Sequence, residues 1–183
     1  MSLTFTTAQT DEDLRQILSL QAQNLKTNLS EEAKQQQGFV TVQHTWEQLS
    51  LMHRLTPQIV AKDNGLVVGY ALSMMPEMGE LIPDLQPMFA LLEQIPWQGT
   101  PLSRHRYYVM GQVCVGASHR GMGVFDGLYQ QHREVYSPNF DVLVTEISKS
   151  NTRSQRAHER VGFRTIFEHE DHVDTWNVVA WGY

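Results

Sequence analysis

The segment from Val113 to Phe125 constrains the fold of this chain most, because it predicts a buried strand that enters a glycine-bearing loop and then a helix. Gly121 and Gly123 have no Cβ, so the backbone can approach an anion closely there. The first N–H groups of the helix lie at the positive end of its dipole, and Arg120 adds a positive charge beside them. The segment therefore predicts a phosphate-binding loop, with an ordinary glycine turn as the alternative.

Two common nucleotide-binding motifs do not fit the glycine spacing of this segment. Gly121, Gly123 and Gly127 do not follow the Gly-x-Gly-x-x-Gly spacing of dinucleotide-binding folds. The loop also lacks the Gly-Lys-Ser or Gly-Lys-Thr end of a nucleoside-triphosphate loop. We therefore expect the pyrophosphate of a different cofactor.

Hydrophobic periodicity predicts the elements around this segment. Asn64-Gly65 stands between two apolar runs and is typical of a tight β-hairpin, since both residues accept a positive φ. Thr10 and Asp13 form a capping box at the start of a first helix. The predicted order is a strand, two helices, a hairpin, an insertion and then βαβαββ, which indicates an α/β fold with a mixed central sheet flanked by helices. The insertion covers the proline-rich residues 76–106 and contains one helix flanked by loops.

Length and charge exclude several classes of protein. The 183 residues suit a single domain, residues 1–183. The formal net charge of −6 argues against broad docking onto nucleic acid or an anionic membrane. The single cysteine, Cys114, can form neither an internal disulfide nor a thiolate metal cluster, so we expect the reducing cytoplasm. The chain shows neither signal-peptide character nor an apolar run of membrane-spanning length, and we expect a soluble protein.

Two motifs in the second half of the chain resemble those of the GNAT superfamily of acyl-CoA-dependent N-acyltransferases. Arg120-Gly121-Met122-Gly123-Val124-Phe125 is similar to the family's pyrophosphate loop, Arg/Gln-x-x-Gly-x-Gly/Ala. Asn151-Thr152-Arg153-Ser154, followed by Ala157 to Phe163, is similar to the family's Asn-x-x-Ala/Ser helix that ends in Gly-Phe. The resemblance is sharp over Tyr108 to Phe167, and it implies a GNAT-like sheet that splays at an acyl-CoA site.

The resemblance also implies how these motifs would bind acetyl-CoA as a cosubstrate. The exposed backbone of Val113, Cys114 and Val115 would bond the pantetheine arm like an added strand. Asn151 and Ser154 would lie along the pantetheine from the other side. The pyrophosphate would be held by backbone N–H groups of Arg120, Gly121, Met122, Gly123, Val124 and Phe125. No metal is expected.

Two residues depart from the family pattern. Phe125 stands where the family usually has glycine or alanine, so its ring must point away from the pyrophosphate. His158 stands where many members have a tyrosine thought to protonate the departing CoA thiolate. An imidazolium can also donate a proton near neutral pH, so we expect His158 to be the general acid. The alternative is an ordinary helix-surface histidine.

Acyl transfer to an amine also needs a group that removes a proton from the attacking nitrogen. Glu146 is the best choice, because it falls near the end of the next strand, and a solvated strand-end charge is the alternative. Cys114 has no adjacent base in the sequence and is not expected to be a nucleophile. His169 and His172 flank two acidic residues, which favours a solvated acidic hairpin over a metal site.

Together these predictions describe a cytoplasmic N-acetyltransferase in which a primary amine of a small molecule attacks acetyl-CoA directly. Residues 81–97 would shape the acceptor pocket, together with apolar residues that are individually more typical of a core: Phe39, Val42, Trp46, Leu49, Met74 and Met75. We expect an amine acceptor and neither nucleic acid nor membrane as a partner, and a homodimer is compatible with the sequence. The alternative function is a non-catalytic acyl-CoA-binding regulatory module.

Overall fold

A computed structural model describes residues 3–25, 28, 30, 40, 42–172 and 174–183. The strands are β1 (Leu3–Thr7), β2 (Ile59–Asp63), β3 (Leu66–Met74), β4 (Pro96–Trp97), β5 (Thr100–Pro101), β6 (Tyr107–Val115), β7 (Val142–Ser148), β8 (Arg164–Glu170) and β9 (Thr175–Gly182). The α-helices are α1 (Asp11–Gln23), α2 (Trp46–Leu55), α3 (Met78–Leu81), α4 (Gln86–Leu92), α5 (Val124–Tyr136) and α6 (Thr152–Val161). Short 3₁₀ turns cover Pro83–Leu85, Leu102–Arg104 and Ala117–His119.

Seven of these strands form one mixed sheet in the order β1-β2-β3-β6-β7-β9-β8, and β4 and β5 form a separate hairpin. β6 and β7 pair in parallel, whereas the pairs β1–β2, β2–β3, β7–β9 and β8–β9 are antiparallel. The predicted α/β fold class, with a mixed sheet and flanking helices, is confirmed. The chain divides into two compact units, the first formed by Met1–Ser73 with Gly111–Glu134 and the second by Met74–Met110 with Val135–Tyr183.

In the first unit, α1 begins at the predicted capping box. The Thr10 hydroxyl accepts a hydrogen bond from the Asp13 N–H at 3.2 Å, and Asp13 Oδ2 accepts one from the Thr10 N–H at 3.2 Å. Asp13 Oδ1 also pairs with Lys62 Nζ on β2 at 2.7 Å. Burial alone would raise the pKa of Asp13, but Lys62 and the backbone donors outweigh burial and lower it. The same carboxylate thus caps α1 and fixes it to β2.

The β2–β3 hairpin turns at Asn64 and Gly65, as the sequence predicts. Their φ angles are 49° and 84°, and a positive φ at both turn residues suits the twist of paired strands. Asp63 and Leu66 are register partners directly beside the turn. The predicted hairpin is therefore confirmed residue by residue.

Two glycines let α5 pack closely on the strands of the first unit. A Cβ on Gly127 would lie 2.2 Å from Cζ of Phe5 in β1. A Cβ on Gly69 of β3 would lie 2.9 Å from Cγ1 of Val124. Any larger side chain would push the helix away from the strands. Helix packing therefore explains Gly127, which follows the loop and fits no phosphate motif.

In the second unit, strand register sorts the side chains onto two faces of the sheet. Tyr108 on β6 is the register partner of Leu143 on β7, which in turn pairs with Trp181 on β9. This face packs against the C-terminal end of α6, where the rings of Phe163 and Trp181 are 5.7 Å apart. Three further aromatic rings surround Tyr108 on this face, those of Tyr136, Phe140 and Tyr183.

The opposite face of the second unit presents Val142 and Glu146 of β7, because side chains alternate along a strand. Their register partners on β9 are Gly182 and Val178. Trp97 of the insertion covers this face at Gly182, where an added Cβ would lie 3.1 Å from the indole ring. The insertion and Glu146 thus share one face, and α6 lies on the other.

The insertion contains the predicted helix and additional elements. The predicted helix is confirmed as α4, but the short helix α3 and the β4–β5 hairpin were not predicted. Pro96 and Pro101 are register partners in that hairpin. Because proline is uncommon in strands, the sequence of this segment does not predict a strand. Gln98 and Gly99 form the turn with φ angles of 49° and 88°.

Candidate functional site

The glycine-bearing loop between β6 and α5 has the open surface that the sequence predicts. Gly121 and Gly123 have φ angles of 76° and 78°. Apart from the glycine itself and its two chain neighbours, no atom of the described residues lies within 4 Å of a Cβ built on either glycine. α5 starts at Val124, directly after the two glycines, because positive φ angles do not continue a helix. Gly127 N–H donates to Gly123 O at 3.0 Å, so Gly123 caps the helix and the first-turn N–H groups follow it.

Arg120 braces the loop against its own unit. Its Nε donates to the carbonyl oxygen of Val115 at 3.0 Å, and its Nη2 donates to Oδ1 of Asn24 at 2.5 Å. These bonds fix the guanidinium beside the end of β6. Arg120 therefore links the loop to β6 and Asn24 by hydrogen bonds, and it places a positive charge next to the loop.

Phe125 does not obstruct the loop. Its ring packs against Tyr129, one helical turn further along α5, with ring centroids 5.0 Å apart and planes tilted by 56°. Met122 is 43% exposed, whereas Val124 is buried. The bulky residue that departs from the family pattern is thus accommodated along the helix.

The end of β6 presents Val113, Cys114 and Val115 next to the loop. Cys114 is buried, and burial raises the pKa of its thiol to about 11, although Arg120 and a hydrogen bond with Tyr70 act in the opposite direction. The thiol is therefore protonated at neutral pH, and a protonated thiol is a poor nucleophile.

In the second unit, Asn151 and Ser154 form the first turn of α6. Asn151 is the N-cap residue, and its Oδ1 accepts a hydrogen bond from the Ser154 N–H at 3.2 Å. Gly162, with a φ of 125°, ends the helix. The asparagine of the second motif therefore has a local structural role in shaping the start of this helix.

His158 lies on α6 and is buried, with 2% of its surface exposed. Its Nδ1 donates to the Ser154 carbonyl oxygen at 2.8 Å, and its ring meets the Phe163 ring edge-on at 5.1 Å. Burial lowers the pKa of His158 to about 4, although the hydrogen bond to Ser154 opposes this shift. At pH 7 the imidazolium is then present in about one molecule in a thousand.

Glu146 forms a hydrogen-bonded pair with His169. Its Oε1 lies 2.9 Å from Nε2 of His169, and only 17% of the Glu146 side chain and 19% of the His169 side chain are exposed. Burial raises the pKa of Glu146, and His169 partly opposes this shift. A carboxylate with a raised pKa is a stronger proton acceptor than an ordinary surface glutamate.

The loop and α6 both lie within a segment whose sequence matches a known protein family. A profile of the acetyltransferase (GNAT) family matches residues 14–163, which is most of the chain. The chain belongs to the acetyltransferase (GNAT) family. A search of curated proteins finds no match.

Solved structures share the GNAT fold with this chain at low sequence identity. An N-acetyltransferase from Staphylococcus aureus Mu50 is 18% identical with a TM-score of 0.63, covering 100% of this chain and 99% of that chain. AAC(6')-Ib, solved with Parmomycin and acetyl-CoA, is also 18% identical, with a TM-score of 0.60 and coverages of 100% and 94%. The NatC complex bound to Gag peptide and CoA is 13% identical, with a TM-score of 0.66 and coverages of 100% and 99%. Identities this low establish the shared fold alone.

GNAT acetyltransferases use acetyl-CoA as the acyl donor. Within the described residues, no group of three or more histidine, cysteine or acidic side chains is arranged to hold a metal ion. His169 instead pairs with Glu146, and His172 is exposed in the turn between β8 and β9. Among the helices that the structure describes, none has the length and apolar character needed to span a bilayer.

The residues predicted to shape an acceptor pocket lie in different environments. Leu49 and Met74 are buried, which is the core role that their residue types favoured. Val42 is 54% exposed. Trp97 lies on the face that also presents Glu146, and Phe39 lies outside the described residues.

Sequence reasoning missed a buried amide network in the first unit. Gln112 Oε1 on β6 accepts hydrogen bonds from Gln21 Nε2 at 2.7 Å and from the Tyr70 hydroxyl at 2.6 Å. Gln112 Nε2 donates to the Val42 carbonyl oxygen at 2.8 Å, and Gln21 Oε1 accepts from the His44 N–H at 2.8 Å. The network fixes the segment that precedes α2. No local pattern could have revealed it, because its members are far apart in the chain.

Proposed function

We propose that this protein transfers the acetyl group of acetyl-CoA to a primary amine of a small molecule. Residues 1–183 would act as one catalytic domain, with residues 76–106 as its insertion, in the cytoplasm. The observation that carries the proposal is the open loop with two positive-φ glycines at the start of α5, in a chain that matches the GNAT family. Such a loop suits a pyrophosphate, because backbone N–H groups and the helix dipole both favour an anion.

Donor binding is assigned to the two family motifs. Backbone N–H groups from Arg120 to Phe125 would hold the pyrophosphate, and the backbone of Val113, Cys114 and Val115 would bond the pantetheine arm. Asn151 and Ser154 would contribute from the start of α6. The open space at Gly121 and Gly123 supports this assignment, since any side chain there would occupy the position of the anion.

Glu146 is assigned as the general base. It would take a proton from the acceptor ammonium, and the free amine would then attack the thioester carbonyl carbon. The carbon–sulfur bond then breaks, the nitrogen releases its extra proton to water as the amide forms, and the CoA thiolate leaves and takes a proton. The partial burial and raised pKa of Glu146 support the assignment, because burial makes the carboxylate a stronger proton acceptor than a solvated glutamate.

His158 is assigned as the proton donor to the departing thiolate. Its Nδ1–H is already donated to Ser154, so the proton would have to come from Nε2 of the imidazolium. Because burial holds the pKa of His158 at about 4, the developing thiolate charge must raise that pKa during the reaction. The role therefore depends on the transition state rather than on the resting protein.

A non-catalytic acyl-CoA-binding module is the second proposal, and the buried, neutral His158 favours it. A panel of amines distinguishes the two: polyamines, amino acids, aminoglycosides and peptide N-termini, each incubated with the protein and acetyl-CoA. An enzyme releases free CoA thiol faster with at least one amine than with none, and it forms the acetylated amine. Binding of acetyl-CoA without amine-dependent thiol release would favour the module.

A further inference from the structure

Glu146 and His169 are brought together by strand register alone. Glu146 on β7 pairs with Val178 on β9, and His169 on β8 pairs with Trp176 on β9. Both side chains therefore lie on one face of the sheet, in diagonal positions across β9, within reach of each other. This is the face that Trp97 of the insertion covers at Gly182.

The hydrogen bond between the two side chains has a definite consequence for the carboxylate. His169 Nε2 donates to Glu146 Oε1 at 2.9 Å, so one carboxylate oxygen is held and the other remains to accept a proton. A carboxylate that is largely buried is costly without such a donor. A hydrogen bond to an ionised group is also stronger and more directional than one between neutral groups.

We propose that His169 is the positioning residue for Glu146: its Nε2–H fixes Oε1, orients Oε2 toward the acceptor amine and keeps the carboxylate ionised. The inference rests on the proposed acetyl transfer for its catalytic meaning. His169 itself does not touch the reacting atoms. Its role is to hold a base that would otherwise rotate or take up a proton.

The ionisation of Glu146 depends on few charged groups. His169 on β8 favours the carboxylate, whereas burial and the negative charge of Asp171 in the β8–β9 turn disfavour it. The side chains on the same face of β7 and β9 next to Glu146 are uncharged: Val144, Ser148, Trp176 and Val178. Loss of His169 would therefore leave burial and Asp171 unopposed, and the pKa of Glu146 should rise.

A titration of the Glu146 carboxyl group by ¹³C NMR tests the pairing in the unliganded protein, without any acceptor. Glu146→Gln assigns the signal. In His169→Ala the midpoint should rise by roughly one pH unit, whereas His169→Gln, which keeps an N–H donor, should move it less. His172→Ala removes an exposed histidine of the adjacent turn and should leave it unchanged. An unchanged midpoint in His169→Ala would overturn the proposal.

Kinetics test the catalytic consequence once an acceptor supports turnover. His169→Ala should lower kcat roughly ten- to a hundredfold and move the acid limb of the kcat profile to higher pH, with little change in KM for acetyl-CoA. His169→Gln should recover most of kcat, and His172→Ala should match wild type. Full kcat with an unmoved acid limb in His169→Ala overturns the positioning role. If no amine supports turnover, the proposed function fails, while the carboxyl titration still decides the pairing.

Discussion

The loop at Gly121 and Gly123 and the pair formed by Glu146 and His169 are built in different ways. The loop is local: two glycines and a helix start are adjacent in sequence, and their backbone conformation creates the open surface. The pair joins residues 23 positions apart, on strands separated by β9. The backbone of one region suits an anion, whereas the other region offers two titratable side chains, which suit proton transfer. Donor binding and proton transfer should therefore respond to different substitutions.

The largest effect should follow from Glu146→Gln, which keeps the shape of the side chain but removes the base. Turnover should fall about a hundred- to ten-thousandfold. Affinity for acetyl-CoA should be unchanged, because the loop does not depend on this side chain. Steady-state kinetics and calorimetry on one preparation provide both numbers. Unchanged turnover would show that Glu146 is not the general base.

His158→Ala should lower turnover by roughly ten- to a thousandfold if the histidine protonates the thiolate. His158→Tyr should restore much of the rate, because a phenol can donate a proton from the same position. Affinity for acetyl-CoA should change little, and thermal unfolding controls for the buried volume that is lost. Full turnover in His158→Ala, measured where chemistry limits the rate, would mean that the thiolate leaves unassisted.

Sequence reasoning succeeded where the signal is local. The Asn64-Gly65 hairpin, the Thr10 capping box and the strand–loop–helix segment each depend on residues within a few positions of one another, and each is present. The element order follows from the same kind of information. The open loop at Gly121 and Gly123 is also a backbone feature, which explains why it could be predicted from two glycines and a helix start.

Other features could not be predicted, because they depend on contacts between distant parts of the chain. Glu146 could be nominated from its place near a strand end, but its partner His169 follows from the register of three strands. The burial of His158 likewise depends on how α6 packs against its unit, so its low pKa has no sequence signal. The β4–β5 hairpin was missed for a different reason, since its prolines are atypical of strands.

Acid should destabilise each unit, and the largest contributions should come from two buried histidines. Burial lowers the pKa of His132 to about 3 and that of His158 to about 4, from 6.5 in the unfolded chain. Below pH 6.5 the unfolded chain binds protons that the folded histidines do not, so stability falls as pH decreases. Each histidine contributes a slope of up to about 1.4 kcal/mol per pH unit, which ends near its folded pKa.

Urea unfolding between pH 7 and pH 4.5 measures this loss. His132→Phe should reduce the slope, since a neutral aromatic side chain cannot bind the proton. His172→Ala, at an exposed histidine, provides the comparison. If His132→Phe leaves the slope of unfolding free energy against pH unchanged, protonation of His132 is not a cause of the loss of stability in acid.

The smallest effect compares two glycines with the same backbone strain. Gly123→Ala and Gly65→Ala each place a Cβ at a positive φ in open space, so each should cost about 1 kcal/mol of stability. Only Gly123→Ala should also weaken acetyl-CoA binding, by about tenfold, because its Cβ would enter the proposed anion site. Thermal unfolding and calorimetry separate the two effects. Equal acetyl-CoA affinity in both variants would contradict a donor site at this loop.

Calorimetric titration of the purified protein with acetyl-CoA tests the central claim, that the loop at Gly121 and Gly123 binds the acyl donor, most directly. The wild-type protein should bind acetyl-CoA, and Gly123→Glu should lose most of that binding, because a carboxylate there repels the pyrophosphate and fills its space. Gly65→Ala, with the same positive φ outside the loop, should bind as the wild type does. Failure of the wild-type protein to bind at millimolar acetyl-CoA, or full binding by Gly123→Glu, would contradict the assignment of the donor site.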